Sequence, residues 1–278
     1  MEPAPSEIEI RTEELTPRTL PGPWQIAAAQ TRGTDHEATG QDCQDVYRVE
    51  RISPDLLIVA VADGAGSAKL AQVGAGLAAN QATAHLSARL AEAEDLLDEI
   101  TLRSLLHDAV VEAISALDAE ASARQVHINE LATTLILIIA RREDVAVAQV
   151  GDGATVIADQ AGNLLSLTVP PVTEYINETT FLTAPEALTG IQLVFWRGRA
   201  TRLAAFSDGL QLLCLQWPER LPYEPFFAPL FEFVGTSSDE SQAGHDLAKF
   251  LSSEKIKSQT HDDLTLVLAS ITNCAHED

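Results

Sequence analysis

The residues best equipped for chemistry are aspartates set at the ends of apolar runs. Val61-Ala62-Asp63-Gly64 closes the run Leu56 to Ala62, Val150-Gly151-Asp152-Gly153 closes Val145 to Val150, and Phe206-Ser207-Asp208-Gly209 closes Leu203 to Phe206. A fourth group, His261-Asp262-Asp263-Leu264-Thr265, precedes the run Leu264 to Ala269. A carboxylate at the edge of a buried sheet is costly unless its charge is paired. Several converging from different strands repel one another, and a hard divalent cation with oxygen ligands is the usual remedy. The pattern therefore predicts a carboxylate-lined metal site assembled from distant segments. Each piece has a simpler reading by itself. Asp-Gly is a common turn dipeptide, Gly151-Asp152-Gly153 could be a tight hairpin turn, and Ser207 or Asp208 could cap a following helix. The adjacent pair Asp262-Asp263 gains nothing structurally without a partner, and recurrence at matching strand ends outweighs the separate turns.

Other chemistries find little support. Gly64-Ala65-Gly66-Ser67-Ala68-Lys69 lies after a strand and before a helix, yet its glycine spacing fits neither the nucleoside-triphosphate loop nor the dinucleotide fingerprint. There is no His-Glu-x-x-His zinc motif and no Gly-x-Ser-x-Gly elbow, which argues against a serine hydrolase.

The elements that must position these aspartates follow from the periodicity. Trp24 to Gln30, Val46 to Val49 and Leu56 to Ala62 read as strands, the last buried on both faces, with a polar loop over Thr31 to Asp45. Ala68 to Ala91 is an Ala-rich helix whose Ala71, Ala75, Ala78 and Ala79 allow close packing on a sheet. A second helix over Leu102 to Arg124 carries an apolar stripe of helical period. Ala132 to Arg141, Val145 to Val150, Ala154 to Ala158 and Leu164 to Leu167 read as a meander of antiparallel hairpins. Thr168 to Gly190, with Pro170, Pro171 and Pro185, is expected to be an exposed flap. Strands follow at Ile191 to Trp196, Arg202 to Phe206 and Leu264 to Ala269, with helices at Leu210 to Gln216, Pro225 to Val234 and Asp239 to Ser252. The fold class is α+β, with helices covering stacked sheets. Residues 1–23 are expected to be a flexible acidic leader, and 24–278 one domain.

Composition narrows the partners. The chain has 278 residues and a formal net charge of -23, from 41 Asp and Glu against 18 Lys and Arg. Nucleic acid and anionic membrane both require a basic footprint, so neither is an expected partner. The acidity serves solubility, offsets bound cations or favours a basic partner. Cys43, Cys214 and Cys274 are too few and too scattered for a disulfide framework, which suits a reducing compartment. The first residues lack a signal-peptide pattern, and no apolar stretch reaches the roughly 20 residues of a membrane span. The expected location is cytoplasmic.

Taken in order and spacing, these motifs resemble the metal-dependent serine/threonine protein phosphatases of the type 2C class, over about Gln30 to Ser270. Gly33-Thr34-Asp35-His36 through Cys43-Gln44-Asp45, followed by Asp63-Gly64-Ala65-Gly66-Ser67-Ala68-Lys69, looks most like a bacterial branch. The resemblance implies a four-layer α-β-β-α sandwich of two antiparallel sheets flanked by helices. It implies two Mn²⁺ or Mg²⁺ ions, with Asp63 bridging both, Asp208 and Asp262 completing one site, and the Gly64 carbonyl and Asp45 serving the other. Asp152 matches the aspartate tied to a third, weaker metal in bacterial members, and Asp263 stands where many members have Asn. The implied reaction is hydrolysis of phosphoserine and phosphothreonine on proteins, by a water held between the two cations and attacking phosphorus in line, with a role in signalling. A cognate serine/threonine kinase is an implied partner. Two features depart from the family pattern. Gly40 and Gln41 occupy the neighbourhood of a phosphate-gripping Arg, and Ala65 stands where eukaryotic members carry a His. His36 or Arg32 is therefore the expected phosphate contact, with His36 counted beside Asp63 and Asp208 in the catalytic set. The alternative is a catalytically weak homologue that binds a phosphoprotein or kinase as a regulatory module.

Overall fold

The computed structural model describes residues 24–92, 97–171 and 179–271. The expected leader lies outside them, as does the middle of the expected flap. In chain order the strands are β1 (Trp24–Thr31), β2 (Asp45–Ser53), β3 (Leu56–Asp63), β4 (Leu135–Arg141), β5 (Asp144–Val150), β6 (Ala154–Ala158), β7 (Leu164–Thr168), β8 (Gln192–Arg197), β9 (Arg202–Phe206), β10 (Leu215–Gln216), β11 (Leu221–Pro222) and β12 (Leu264–Ile271). The helices are α1 (Thr34–Thr39), α2 (Ala71–Ala91), α3 (Glu99–Arg124), α4 (Gln211–Cys214), α5 (Glu224–Thr236), α6 (Glu240–Leu251) and α7 (Glu254–Lys257).

Two five-stranded antiparallel sheets form the centre, one ordered β1-β12-β9-β6-β7 and the other β2-β3-β4-β5-β8. Their facing sides share an apolar layer that includes Trp24, Val59, Ile138, Leu203 and Val267. The outer face of the second sheet is covered by α2 and α3, through residues such as Ala75, Ala78, Leu106 and Val110. The outer face of the first is covered by α5 and α6, through Phe227, Phe231 and Leu247 among others. This is the α-β-β-α sandwich, and its central strands are apolar on both faces because each is buried twice. The small residues of α2 do what their spacing suggests: Ala71, Ala75, Ala78 and Ala79 are all buried.

Two local expectations are corrected. The polar stretch Thr31 to Asp45 is not all loop, since it folds the short helix α1. The run from β4 to β7 is not a single meander. The hairpin β4-β5 belongs to one sheet and β6-β7 to the other, so Gly151-Asp152-Gly153 carries the chain between sheets rather than round a hairpin. Gly151 has φ +111, and a Cβ on Gly153 would lie 2.6 Å from the Phe206 carbonyl oxygen and 2.7 Å from Ile136 Cδ1. Both glycines are needed because the crossing strand brushes both sheets. Of the expected flap, Leu182 and Ala187 are buried. The Leu182 amide donates to the Thr133 carbonyl at 2.8 Å, which fixes this part to the core instead of leaving it exposed.

Candidate metal centre

The aspartates collect at one end of the sandwich because of how the strands run. Asp45 opens β2 and Asp63 closes the antiparallel β3, and the two pair directly across the ladder. In the other sheet, β9 delivers Asp208 just past its end and β12 begins just after Asp262. The sheet crossover brings Asp152 to the same end. Like charges directly opposite on neighbouring strands are destabilising, so this placement works against the fold unless something else binds there.

Asp63, Asp152, Asp208 and Asp262 line a cavity of about 470 Å³, together with the Gly64 backbone, His36 and His261. Among its described lining residues there is no Lys or Arg. Asp45 sits behind Asp63, fully buried, with Oδ2 accepting a 2.7 Å hydrogen bond from the Ser207 hydroxyl. The Ser207 hydroxyl in turn accepts from the Thr265 amide at 3.0 Å, so one side chain ties a carboxylate of one sheet to β12 of the other. Gly64 is required where it stands, since a Cβ there would lie 2.7 Å from the backbone of Ala71.

The electrostatics record the crowding. Burial first, and the Asp263 charge, against the Ser207 hydrogen bond, set the Asp45 carboxyl at about 7. Burial, then the charges of Asp152 and Asp262, bring Asp208 to about 7 as well. Asp63 is raised well above the ordinary carboxylate range by burial and by Asp45 and Asp208. Asp152 is raised by burial, against a hydrogen bond from the Thr179 hydroxyl.

The donor set fits hard cations. It consists of carboxylate oxygens and one exposable carbonyl, with no competing amine. Among the described residues Asp45 Oδ1 and Asp208 Oδ1 are buried without a hydrogen-bond partner, which native folds rarely tolerate. Among the described residues no three His, Cys, Asp or Glu side chains are grouped closely enough to hold a metal ion by themselves. Mg²⁺ and similar ions keep several waters, so carboxylates set this far apart can share an ion's shell through water.

Asp263 behaves differently from its neighbour. It is 2% exposed and points away from the cavity into the loop between β1 and β2. Its Oδ1 accepts from the Gly33 amide at 2.7 Å and its Oδ2 from the Gln44 amide at 2.5 Å, while His36 Nδ1 lies 3.0 Å from Oδ2. The Asp-Asp pair is thus one cavity carboxylate and one internal fastener. Of the two expected phosphate contacts, His36 lines the cavity. Arg32 is exposed and donates to the Gln41 carbonyl at 3.2 Å.

Residues 32–252 match the sequence profile of protein phosphatase 2C. The chain belongs to the protein phosphatase 2C family. A relative within reach is serine/threonine-protein phosphatase 3 of Escherichia coli (strain K12), 34% identical over 252 residues, covering 88% of this chain and 98% of the relative. Among solved structures, the serine/threonine phosphatase Stp1 from Staphylococcus aureus superposes with a TM-score of 0.60 at 15% identity, covering 90% of this chain and 95% of that one. The catalytic domain of the serine/threonine protein phosphatase PstP, in complex with two manganese ions, gives 0.59 at 20% identity over 90% of this chain and 99% of that one. At such identities the structures establish the sandwich itself as the 2C fold. The residue that sequence reasoning passed over is His261. Its only sequence signal was its place directly before Asp262.

Proposed function

We propose that the protein is a Mn²⁺- or Mg²⁺-dependent phosphatase acting on phosphoserine and phosphothreonine in proteins. The observation that carries this reading is the ring of carboxylates drawn from both sheets, with buried unpartnered oxygens on Asp45 and Asp208 and no Lys or Arg facing them. A phosphate monoester dianion entering that cavity meets five aspartates and, among the described lining residues, no Lys or Arg. At a few ångströms each such repulsion costs about 1 to 4 kcal/mol. Anionic substrate and anionic site are compatible only with cations between them.

Asp63, Asp208 and Asp262 would hold one ion, and Asp63, Asp45 and the Gly64 carbonyl the other, with Asp152 beside a weaker third position. When bound, the cations would acidify water and offset charge on the phosphoryl oxygens. The chain's own residues do the rest. Ser207 keeps Asp45 turned toward Asp63, and the Gly64 backbone leaves room for its carbonyl to reach the site. Phe181 and Ala65 wall one side of the cavity and limit water there. His36, held by Asp263, is placed to meet a phosphoryl oxygen. The names of the relatives support a protein substrate, and a kinase that writes the same phosphorylation is the partner such a substrate requires.

The test is hydrolysis of an aryl phosphate and of a phosphothreonine peptide with Mn²⁺ and with EDTA. Activity is expected with Mn²⁺ alone, falling at least a hundredfold in Asp208→Asn and showing a raised KM in His36→Ala. The lack of an Arg grip also motivates a regulatory module that binds a phosphoprotein without turnover. Folded protein that binds Mn²⁺ and a phosphopeptide yet hydrolyses neither substrate would establish that second reading instead.

A further inference from the structure

We propose that His261 is a second phosphoryl contact, an N–H donor at Nε2 whose ring is set by Thr34, standing beside His36 where a guanidinium grip is missing. This rests on the phosphatase reading above. His261 immediately precedes Asp262 and lines the same cavity as His36. Its Nδ1 lies 2.9 Å from the Thr34 hydroxyl. When that hydroxyl donates to Nδ1, the ring proton must sit on Nε2, and the nitrogen facing away from Thr34 becomes a donor without any added charge. Among the described residues, Nε2 of neither histidine has a hydrogen-bond partner, whereas His261 Nδ1 meets the Thr34 hydroxyl and His36 Nδ1 lies 3.0 Å from Asp263 Oδ2.

The placement is built into the fold by a clasp between two segments far apart in sequence. The Gly33 amide is held by Asp263 at 2.7 Å, and the Asp35 amide donates to the His261 carbonyl at 3.2 Å. Thr34 meets the His261 ring, and His36 meets Asp263. Contact is so close that a Cβ on Gly33 would lie 2.4 Å from the His261 carbonyl oxygen. The clasp ties α1 to the lead into β12, and both imidazoles it carries line the cavity. A phosphoryl group has more than one oxygen to offer. Among the described lining residues no Lys or Arg meets those oxygens, and the Nε2–H of His261 is set to take one of them. Thr34 is a positioning residue in this arrangement, acting through the ring.

The experiment uses the full chain at saturating Mg²⁺, reading steady-state hydrolysis of an aryl phosphate, inhibition by inorganic phosphate, and phosphate binding by calorimetry. In His261→Ala, KM and the phosphate inhibition constant are both expected to rise roughly tenfold, the scale of one hydrogen bond to a charged group, with kcat little changed. Thr34→Val should reproduce much of that rise, and Thr34→Ser should restore the wild-type values. His261 is exposed, so its removal leaves the core alone. Unchanged KM and inhibition constants in His261→Ala would overturn the proposal. So would a fall in kcat at constant KM, which marks a proton donor instead of a grip. Should the wild type hydrolyse nothing, the phosphatase reading fails separately, and calorimetry decides this one: phosphate binding that weakens in His261→Ala supports it, and equal or absent binding in both proteins overturns it.

Discussion

Asp45 shows what a single buried carboxyl can report. One oxygen is engaged by Ser207 and the other has no partner. With its carboxyl at about 7, and Asp208 likewise, the metal-free fold holds protons that an unfolded chain would release near the ordinary aspartate value of about 4. The sign follows from linkage. Below about pH 4 both states are protonated and that stabilisation is complete; as pH rises through about 7 the folded form must give up its protons and the stabilisation is lost. Metal-free protein should therefore melt at lower temperature as pH rises from about 5 to about 8, with a flatter profile in Asp208→Asn. Cations compete with those same protons. The rise in melting temperature on adding Mn²⁺ should be larger at about pH 8 than at about pH 6. Thermal scans in Mn²⁺ and EDTA across that range check both halves, and an increment independent of pH would remove the carboxyls from the metal centre.

At the scale of elements, α2 offers a paired comparison. Gly74 and Gly76 both lie inside it, where Ala is intrinsically better than Gly by about 1 kcal/mol. A Cβ at Gly76 meets nothing within 4 Å, so Gly76→Ala should stabilise by about that amount. A Cβ at Gly74 would lie 2.2 Å from the Leu131 carbonyl oxygen, so Gly74→Ala must push α2 off the segment that leads into β4, and it should destabilise despite its better propensity. Denaturant melts of the two variants, shifting in opposite directions, are the check. The same contrast explains what the sequence could disclose. Continuous apolar runs announced β3, β5 and β12, because burial on both faces leaves no alternation to misread. The small-residue face of α2 was legible for the same reason. The sheet crossover at Gly151-Asp152-Gly153 was not, since a hairpin and a change of sheet use the same turn residues and differ only in which strands they later meet. Asp263 was likewise indistinguishable from Asp262 in the sequence. Their opposite duties depend on Gly33 and Gln44, amides more than 200 positions away.

For the whole molecule the governing quantity is charge. A net charge of -23 destabilises any compact form by self-repulsion, and the effect is greatest where five cavity aspartates, counting Asp35 at the rim, share one end of the sandwich. Two remedies are available to the protein, and they can be separated. Diffuse screening acts over the whole surface, with a Debye length of about 10 Å at 0.1 M salt, and does not depend on any one side chain. Specific occupancy would act at the joint between the two sheets, because the proposed ligands lie at the ends of β2 and β3 on one side and beside β9 and β12 on the other. An ion held there links the sheets and stabilises the fold by mass action. Sodium chloride should thus raise the melting temperature of the wild type and of Asp63→Asn alike. At constant ionic strength, Mn²⁺ should raise it further in the wild type, and by much less in Asp63→Asn, which loses the carboxylate proposed to serve both ions. If Mn²⁺ stabilised the two proteins equally once ionic strength was matched, the cluster would be acting only as part of an acidic surface, and the metal centre would have to be abandoned.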